Sequence, residues 1–230
     1  MYKYILLDID DTLLDFGKAE HQAIVETFQK YGIAPSDENI ERYSRINLSF
    51  WQQFERKEIT KDLIWSGRFI QFGKEIGRSI GKDEALEINT YYLSLLGKAA
   101  FPIDGAETFL KKLLERNYPL YVITNGNARV QHERLDALGY KKYFKQLFIS
   151  EEIGYNKPDK EYFSLVMSGI GCTSPRDCVV IGDSLTSDFI GGIDAGMDTC
   201  WYNPKGKENR IGVQPTYTVK SYEEVLELLK

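Results

Sequence analysis

A chain of 230 residues is long enough to bury a substantial core, as one large domain or as a main domain with a smaller companion. Its 29 Lys and Arg against 34 Asp and Glu leave a net charge of −5, which argues against a protein that grips nucleic acid by its phosphates but admits a small anionic ligand. No apolar run approaches the roughly 18 residues of a membrane span. The start, Met1-Tyr2-Lys3-Tyr4, lacks a signal-peptide pattern, and Cys172, Cys178 and Cys200 form neither a CxxC pair nor an even disulfide framework. Free structural thiols in a cytoplasmic protein are expected.

The first element is the apolar strand from Tyr4 to Leu7, which stops abruptly at Asp8-Ile9-Asp10-Asp11-Thr12. Three carboxylates within four residues repel one another unless a cation sits among them. From Gly17 to Ala99 the pattern is helical: Ile24, Phe28 and Tyr31, then Ile64, Phe69, Phe72 and Ile76, then Leu86, Tyr91, Leu95 and Leu96. After Phe101-Pro102, helical stretches alternate with short apolar strands at Leu120–Thr124, Leu147–Ile149, Val179–Ile181 and Thr199–Tyr202. This alternation predicts an α/β fold whose parallel sheet is covered on both faces. The first strand belongs to that sheet, so residues 17–99 are expected as a helical insert in a core made of 1–16 and 100–230. The two connections, near Asp15–Lys18 and Lys98–Asp104, are expected to act as a hinge that lets the insert close over the core.

Ligands of open α/β sheets bind outside the carboxyl ends of the strands. Those ends carry Asp8, Asp10 and Thr12, then Thr124-Asn125-Gly126, a turn with backbone N–H groups near a helix start. Next come Ile149-Ser150-Glu151-Glu152 leading to Lys157-Pro158, and Gly182-Asp183-Ser184 followed by Asp188. Singly, each reads as a solvated turn or a surface lysine; their recurrence at successive sheet termini carries the argument. Asp11 and Asp15 are expected to be solvated. His21 and His132 have no partner at metal-ligand spacing and are expected on the surface.

In order and placement, Asp8/Asp10/Thr12, Thr124, Lys157 and Gly182/Asp183/Asp188 resemble the four motifs of the haloacid dehalogenase superfamily of aspartate-nucleophile phosphatases. The likeness covers nearly the whole chain, and the insert sits where that superfamily places its helical cap on a Rossmann-like core. The resemblance implies a Mg²⁺-dependent phosphomonoesterase. Asp8 would be nucleophile and metal ligand, the Asp10 carbonyl and Asp183 further ligands, and the Asp10 side chain the general acid and base. Thr124, Asn125 and Lys157 would bind the phosphoryl oxygens, and Asp188 would hold Lys157 or a metal-bound water. Phosphoryl transfer needs an in-line nucleophile, charge compensation and a proton for the leaving alcohol. A carboxylate meets an anionic phosphate only with positive charge between them, from a metal and a lysine. Asp10 argues against a dehalogenase, because halide leaves without an acid.

The segments Phe50-Trp51…Phe54-Glu55, Ile59-Thr60…Gly67-Arg68-Phe69, Ile123–Gly126, Ile149–Glu152 and Thr199-Cys200-Trp201 resemble, more narrowly, the bacterial pyrimidine 5′-nucleotidases that hydrolyse UMP, dUMP and dTMP. That likeness implies a nucleotide substrate. The alternatives are a phosphatase of another small metabolite, such as phosphoglycolate or a sugar phosphate, a phosphomutase, or a non-catalytic binding protein. Most of the insert aromatics, Phe50, Trp51, Phe54, Trp65, Phe69 and Phe72, are expected in its core. Arg68 is the candidate contact to the leaving group.

Overall fold

The computed structural model describes residues 2–229. The chain divides into two compact units, one built from the segments up to Phe16 and from Phe101 onward, the other from Gly17–Ala100. Along the chain, β1 (Tyr4–Leu7) precedes four helices, α1 (Phe16–Lys30), α2 (Asp37–Glu55), α3 (Lys61–Glu75) and α4 (Lys82–Leu96). Then follow α5 (Ala106–Glu115), β2 (Leu120–Thr124), α6 (Ala128–Ala137), β3 (Gln146–Ile149), α7 (Ser150–Ile153) and α8 (Lys160–Gly169). The chain ends through β4 (Cys178–Gly182), α9 (Ile190–Asp194), β5 (Asp198–Tyr202), β6 (Tyr217–Val219) and α10 (Tyr222–Leu228).

Among the described residues the sheet has six strands in the order β3-β2-β1-β4-β5-β6, every pair parallel. The period-two alternation of a strand divides its side chains between two cores. Ile5 and Leu7 join Phe109, Leu113, Val122 and Tyr222 on one face. Leu6 joins Ile123, Phe148, Tyr162, Phe163 and Val180 on the other. The chain winds outward from β1 through β2 to β3, then returns to lay β4 on the opposite side of β1. The strand order therefore reverses between β1 and β4, which opens a crevice at their carboxyl ends. β6 is absent from the sequence reading: three residues of mixed burial at a sheet edge carry too little period-two signal.

In the helical unit, Phe28, Tyr43, Phe69, Phe72 and Tyr92 form a buried aromatic core, with Phe28 stacked on Phe72 at 4.8 Å between ring centroids. Phe54 is buried too, whereas Phe50, Trp51 and Trp65 are half-buried. A Cβ at Gly67 would lie 2.4 Å from the Phe50 ring, so the absence of a side chain there lets α2 and α3 approach.

Arg68, expected as a contact to the leaving group, makes its hydrogen bonds within the helical unit instead. Its side chain is inside the helical unit, with the residue only 2 % exposed. Nη1 donates to Asn47 Oδ1 at 2.7 Å and Nη2 to Asn89 Oδ1 at 2.6 Å, and Asn47 Nδ2 donates in turn to Glu20 Oε1 at 2.6 Å. The guanidinium also sits 4.9 Å from the Tyr92 ring centroid. Its work is to tie α2, α3 and α4 together. Arg68→Ala should therefore cost about 3 kcal/mol in urea denaturation, since it orphans two buried amides. Relative rates on a nucleotide and on a small aryl phosphate should stay unchanged; a selective loss on the nucleotide would return Arg68 to the leaving group.

Candidate active site

The turn after β1 is held by apolar anchors. The Asp8 N–H continues the ladder to Ile181 O at 3.0 Å, and the Ile9 carbonyl accepts from Thr12, Leu13 and Leu14 N at 3.3, 2.8 and 2.9 Å. Ile9, Leu13 and Leu14 are fully buried, so the carboxylates between them are positioned rather than loose. Asp11 departs from the expectation of a solvated residue. It takes a left-handed backbone (φ 55°), which Asp tolerates, and its Oδ1 accepts from Phe16 N at 3.3 Å at the start of α1. Burial raises its pKa. Asp15 is half-buried.

Lys157 is buried beneath Asp8. Its Nζ donates to Asp8 Oδ1 and Asp188 Oδ1, both at 2.6 Å, and to Ile123 O at 3.0 Å. Burial alone would discharge it, but Asp188 and Asp8 outweigh that cost and hold its pKa above the usual value. Asn125 sets the lysine from the next loop: Oδ1 accepts from Lys157 N at 2.9 Å and Nδ2 donates to Lys157 O at 2.8 Å. The Asn125 amide, expected at the phosphoryl oxygens, is thus engaged with the Lys157 main chain.

The Thr124 hydroxyl, at the end of β2, accepts from Gly126 N at 3.1 Å and from Gln131 Nε2 at 3.0 Å. Gly126 lets Gln131 take this place, because an added Cβ would lie 2.2 Å from its Nε2 and displace it. Asn127 caps α6, its Oδ1 accepting from Val130 N at 3.2 Å.

Across the crevice, Asp183 follows β4 and Asp188 lies in the π-helical turn Leu185–Phe189. Asp188 is fully buried, with Oδ2 accepting from Ser184 N at 3.2 Å; a Cβ on Gly182 would lie 2.2 Å from that same oxygen. Asp183 Oδ2 accepts from Lys207 Nζ at 2.8 Å. Carboxylate oxygens of Asp8, Asp183 and Asp188 all lie within 4.8 Å of one another. Burial pushes Asp183 up to about 7 despite Lys207. It raises Asp8 as well, with Asp188, Asp10 and Asp183 adding to the effect and Lys157 opposing it. Buried carboxylates that resist ionisation at this spacing, offering only oxygen donors, fit a hard divalent cation.

The sequence reading named Asp8, Asp10, Thr124, Lys157, Asp183 and Asp188, and the fold brings them to the ends of β1, β2 and β4 and to the loop before α8. It passed over three residues. Arg134 Nη1 donates to Asp10 Oδ1 at 2.5 Å, Gln131 Nε2 donates to Asp10 Oδ2 at 2.8 Å, and Lys207 reaches Asp183. A signal existed for the first two: the buried positions of α6 are Val130, Gln131, Arg134 and Leu135, a helical stripe in which polar residues occupy core positions. Neither histidine joins the site, since His21 is exposed and His132 pairs with Glu152 at 2.7 Å. The three cysteines are buried and unbridged. Among the described residues no helix is long and apolar enough to cross a membrane.

A family model for haloacid dehalogenase-like hydrolases matches residues 2–196. Pyrimidine 5′-nucleotidase PynA of Streptococcus pneumoniae is 37 % identical over 228 residues, covering 99 % of this chain and 95 % of that protein. Pyrimidine 5′-nucleotidase YjjG of Escherichia coli is 30 % identical, with 99 % and 98 % covered. A magnesium-bound crystal structure of the HAD-hydrolase YfnB of Bacillus subtilis superposes with a TM-score of 0.93 at 36 % identity, covering 100 % of this chain and 99 % of that one.

Proposed function

Because the chain belongs to the haloacid dehalogenase-like hydrolases, we propose that it is a Mg²⁺-dependent 5′-nucleotidase acting on pyrimidine nucleoside monophosphates through an aspartyl-phosphate on Asp8. The observation that carries the chemistry is the convergence of Asp8, Asp10, Lys157 and Asp183 at the crevice between β1 and β4. The substrate class rests on the full-length likeness to two pyrimidine 5′-nucleotidases.

With Oδ1 held by Lys157, Asp8 turns its other oxygen to phosphorus; the new Asp8–P bond forms as the bond to the 5′-oxygen breaks. Asp10 protonates that leaving oxygen, then takes a proton from the water that attacks the aspartyl-phosphate and frees inorganic phosphate. Thr124, the Asn125 main chain and Lys157 receive the phosphoryl oxygens, and Asp188 keeps Lys157 charged and aimed. Asp8, Asp183 and the Asp10 carbonyl would hold Mg²⁺, which would supply the positive charge that lets carboxylate and phosphate meet.

The test is a panel of UMP, dUMP, dTMP, phosphoglycolate, a hexose phosphate and p-nitrophenyl phosphate. The pyrimidine nucleotides should give the highest kcat/KM; a higher value on another alkyl phosphate would reassign the substrate, and phosphate returned to substrate rather than released would mark a mutase. Chelation should abolish turnover and Ca²⁺ should restore it poorly, because its looser shell misplaces the nucleophile.

Metal binding should also be visible without turnover. A carboxylate whose pKa rises to about 7 on folding binds more protons than the unfolded chain between its ordinary value and about 7. Metal-free protein should therefore lose stability as pH rises through that window. Mg²⁺ should raise the Tm more at pH 8, where the carboxylates are free of protons, than at pH 5. An equal shift at both would show that the metal does not sit on Asp183.

A further inference from the structure

Arg134 is 0 % exposed, lies on α6 and makes an ion pair with Asp10 at 2.5 Å, while its Nε and Nη2 have no hydrogen-bond partner. A buried guanidinium so incompletely paired is a poor way to stabilise a helix; an apolar residue of similar volume between Val130 and Leu135 would serve at least as well. Gln131, also buried, completes the arrangement: its Oε1 accepts from Arg134 Nη1 at 3.4 Å, and its Nε2 donates both to Asp10 Oδ2 at 2.8 Å and to Thr124 Oγ1 at 3.0 Å. Both Asp10 oxygens are thereby tied to a single helix, although the Asp10 side chain stays 30 % exposed.

From this we infer that Arg134 and Gln131 are positioning residues that set the Asp10 carboxyl relative to Thr124. The inference rests on the reading of Asp10 as acid and base. One amide bridges the group that handles the proton of the leaving oxygen and the hydroxyl that receives the phosphoryl group, so their separation is a property of α6. The reacting distances in a near-attack geometry tolerate little error, and a displacement of about 1 Å costs on the order of 10²-fold in rate. The side-chain-free Gly126 belongs to the same arrangement, since a Cβ there would lie 2.2 Å from Gln131 Nε2 and push the amide from this position.

The experiment is a double-mutant cycle. Arg134→Met, Arg134→Lys and Asp10→Asn, and Arg134→Met combined with Asp10→Asn, are assayed on a pyrimidine monophosphate and on p-nitrophenyl phosphate, with the Tm of each recorded. Arg134→Met should lower kcat on the order of 10²-fold with KM within about threefold of wild type, and Arg134→Lys should recover about tenfold of that, because it restores one charged donor. In the Asp10→Asn background, Arg134→Met should cause no further loss, since there is no longer a carboxyl to position. An undiminished loss in that background, or wild-type kcat in Arg134→Met, would overturn the inference while leaving the nucleotidase reading intact. Wild-type turnover in Asp10→Asn alone would overturn the acid–base reading and the inference with it. Should Arg134→Met fail to fold, Gln131→Leu keeps the ion pair and runs the same cycle with the same criteria.

Discussion

Asp8→Asn should abolish turnover, by on the order of 10⁴-fold or more, while leaving the fold in place. The amide matches the carboxylate in shape but is no nucleophile, and no aspartyl-phosphate forms on it. Stability should change little, because Lys157 keeps its 2.6 Å contact with Asp188 and the substitution removes one member of a crowd of buried like charges. Two further readouts separate this outcome from misfolding. The variant should lose the Mg²⁺-induced rise in Tm, and a phosphate-mimicking metal fluoride should no longer protect the crevice. Turnover at the wild-type rate would exclude Asp8 as the nucleophile.

Lys157→Met attacks stability and chemistry together. The ammonium is the shared partner of Asp8 and Asp188, and removing it leaves two buried carboxylates facing each other without compensation. Breaking such an arrangement from one side costs about 3–5 kcal/mol, so the urea midpoint should fall accordingly. Turnover should fall on the order of 10³-fold, as expected when a charge aimed at the transferring phosphoryl group is lost. Adding Asp188→Asn to Lys157→Met should recover much of the stability, because one orphaned charge disappears, and none of the turnover. Unchanged stability in Lys157→Met would contradict the ion-pair geometry, and recovered turnover in the double variant would remove Lys157 from the phosphoryl site.

Two of the residues passed over, Arg134 and Lys207, share a feature with Arg68, which was expected elsewhere. Arg134 and Asp10 are 124 positions apart, Lys207 and Asp183 are 24 apart, and Arg68 meets Asn47 and Asn89 across 21 positions in each direction. In each case the partner is chosen by how helices and loops pack. Asn125 makes the same point from the other side. Its place beside Thr124 invited a phosphate contact, but the loop carrying Lys157 lies within reach of its amide and takes both hydrogen bonds.

What the amino-acid order determined by itself is the part written in short-range periodicity. Apolar runs of strand length, separated by helical stretches of crossover length, dictate a parallel sheet, and Ile9, Leu13 and Leu14 bury themselves so that Asp8 and Asp10 must stand at its edge. The strand-end residues were readable because sheet topology sends every such end to the same crevice. The tertiary structure alone decided which charges meet there and which polar side chains turn inward. A buried arginine and a surface arginine look identical in sequence; Arg68 finds acceptors for both Nη atoms and Arg134 finds Asp10 for its Nη1, and only the assembled core shows where those acceptors are.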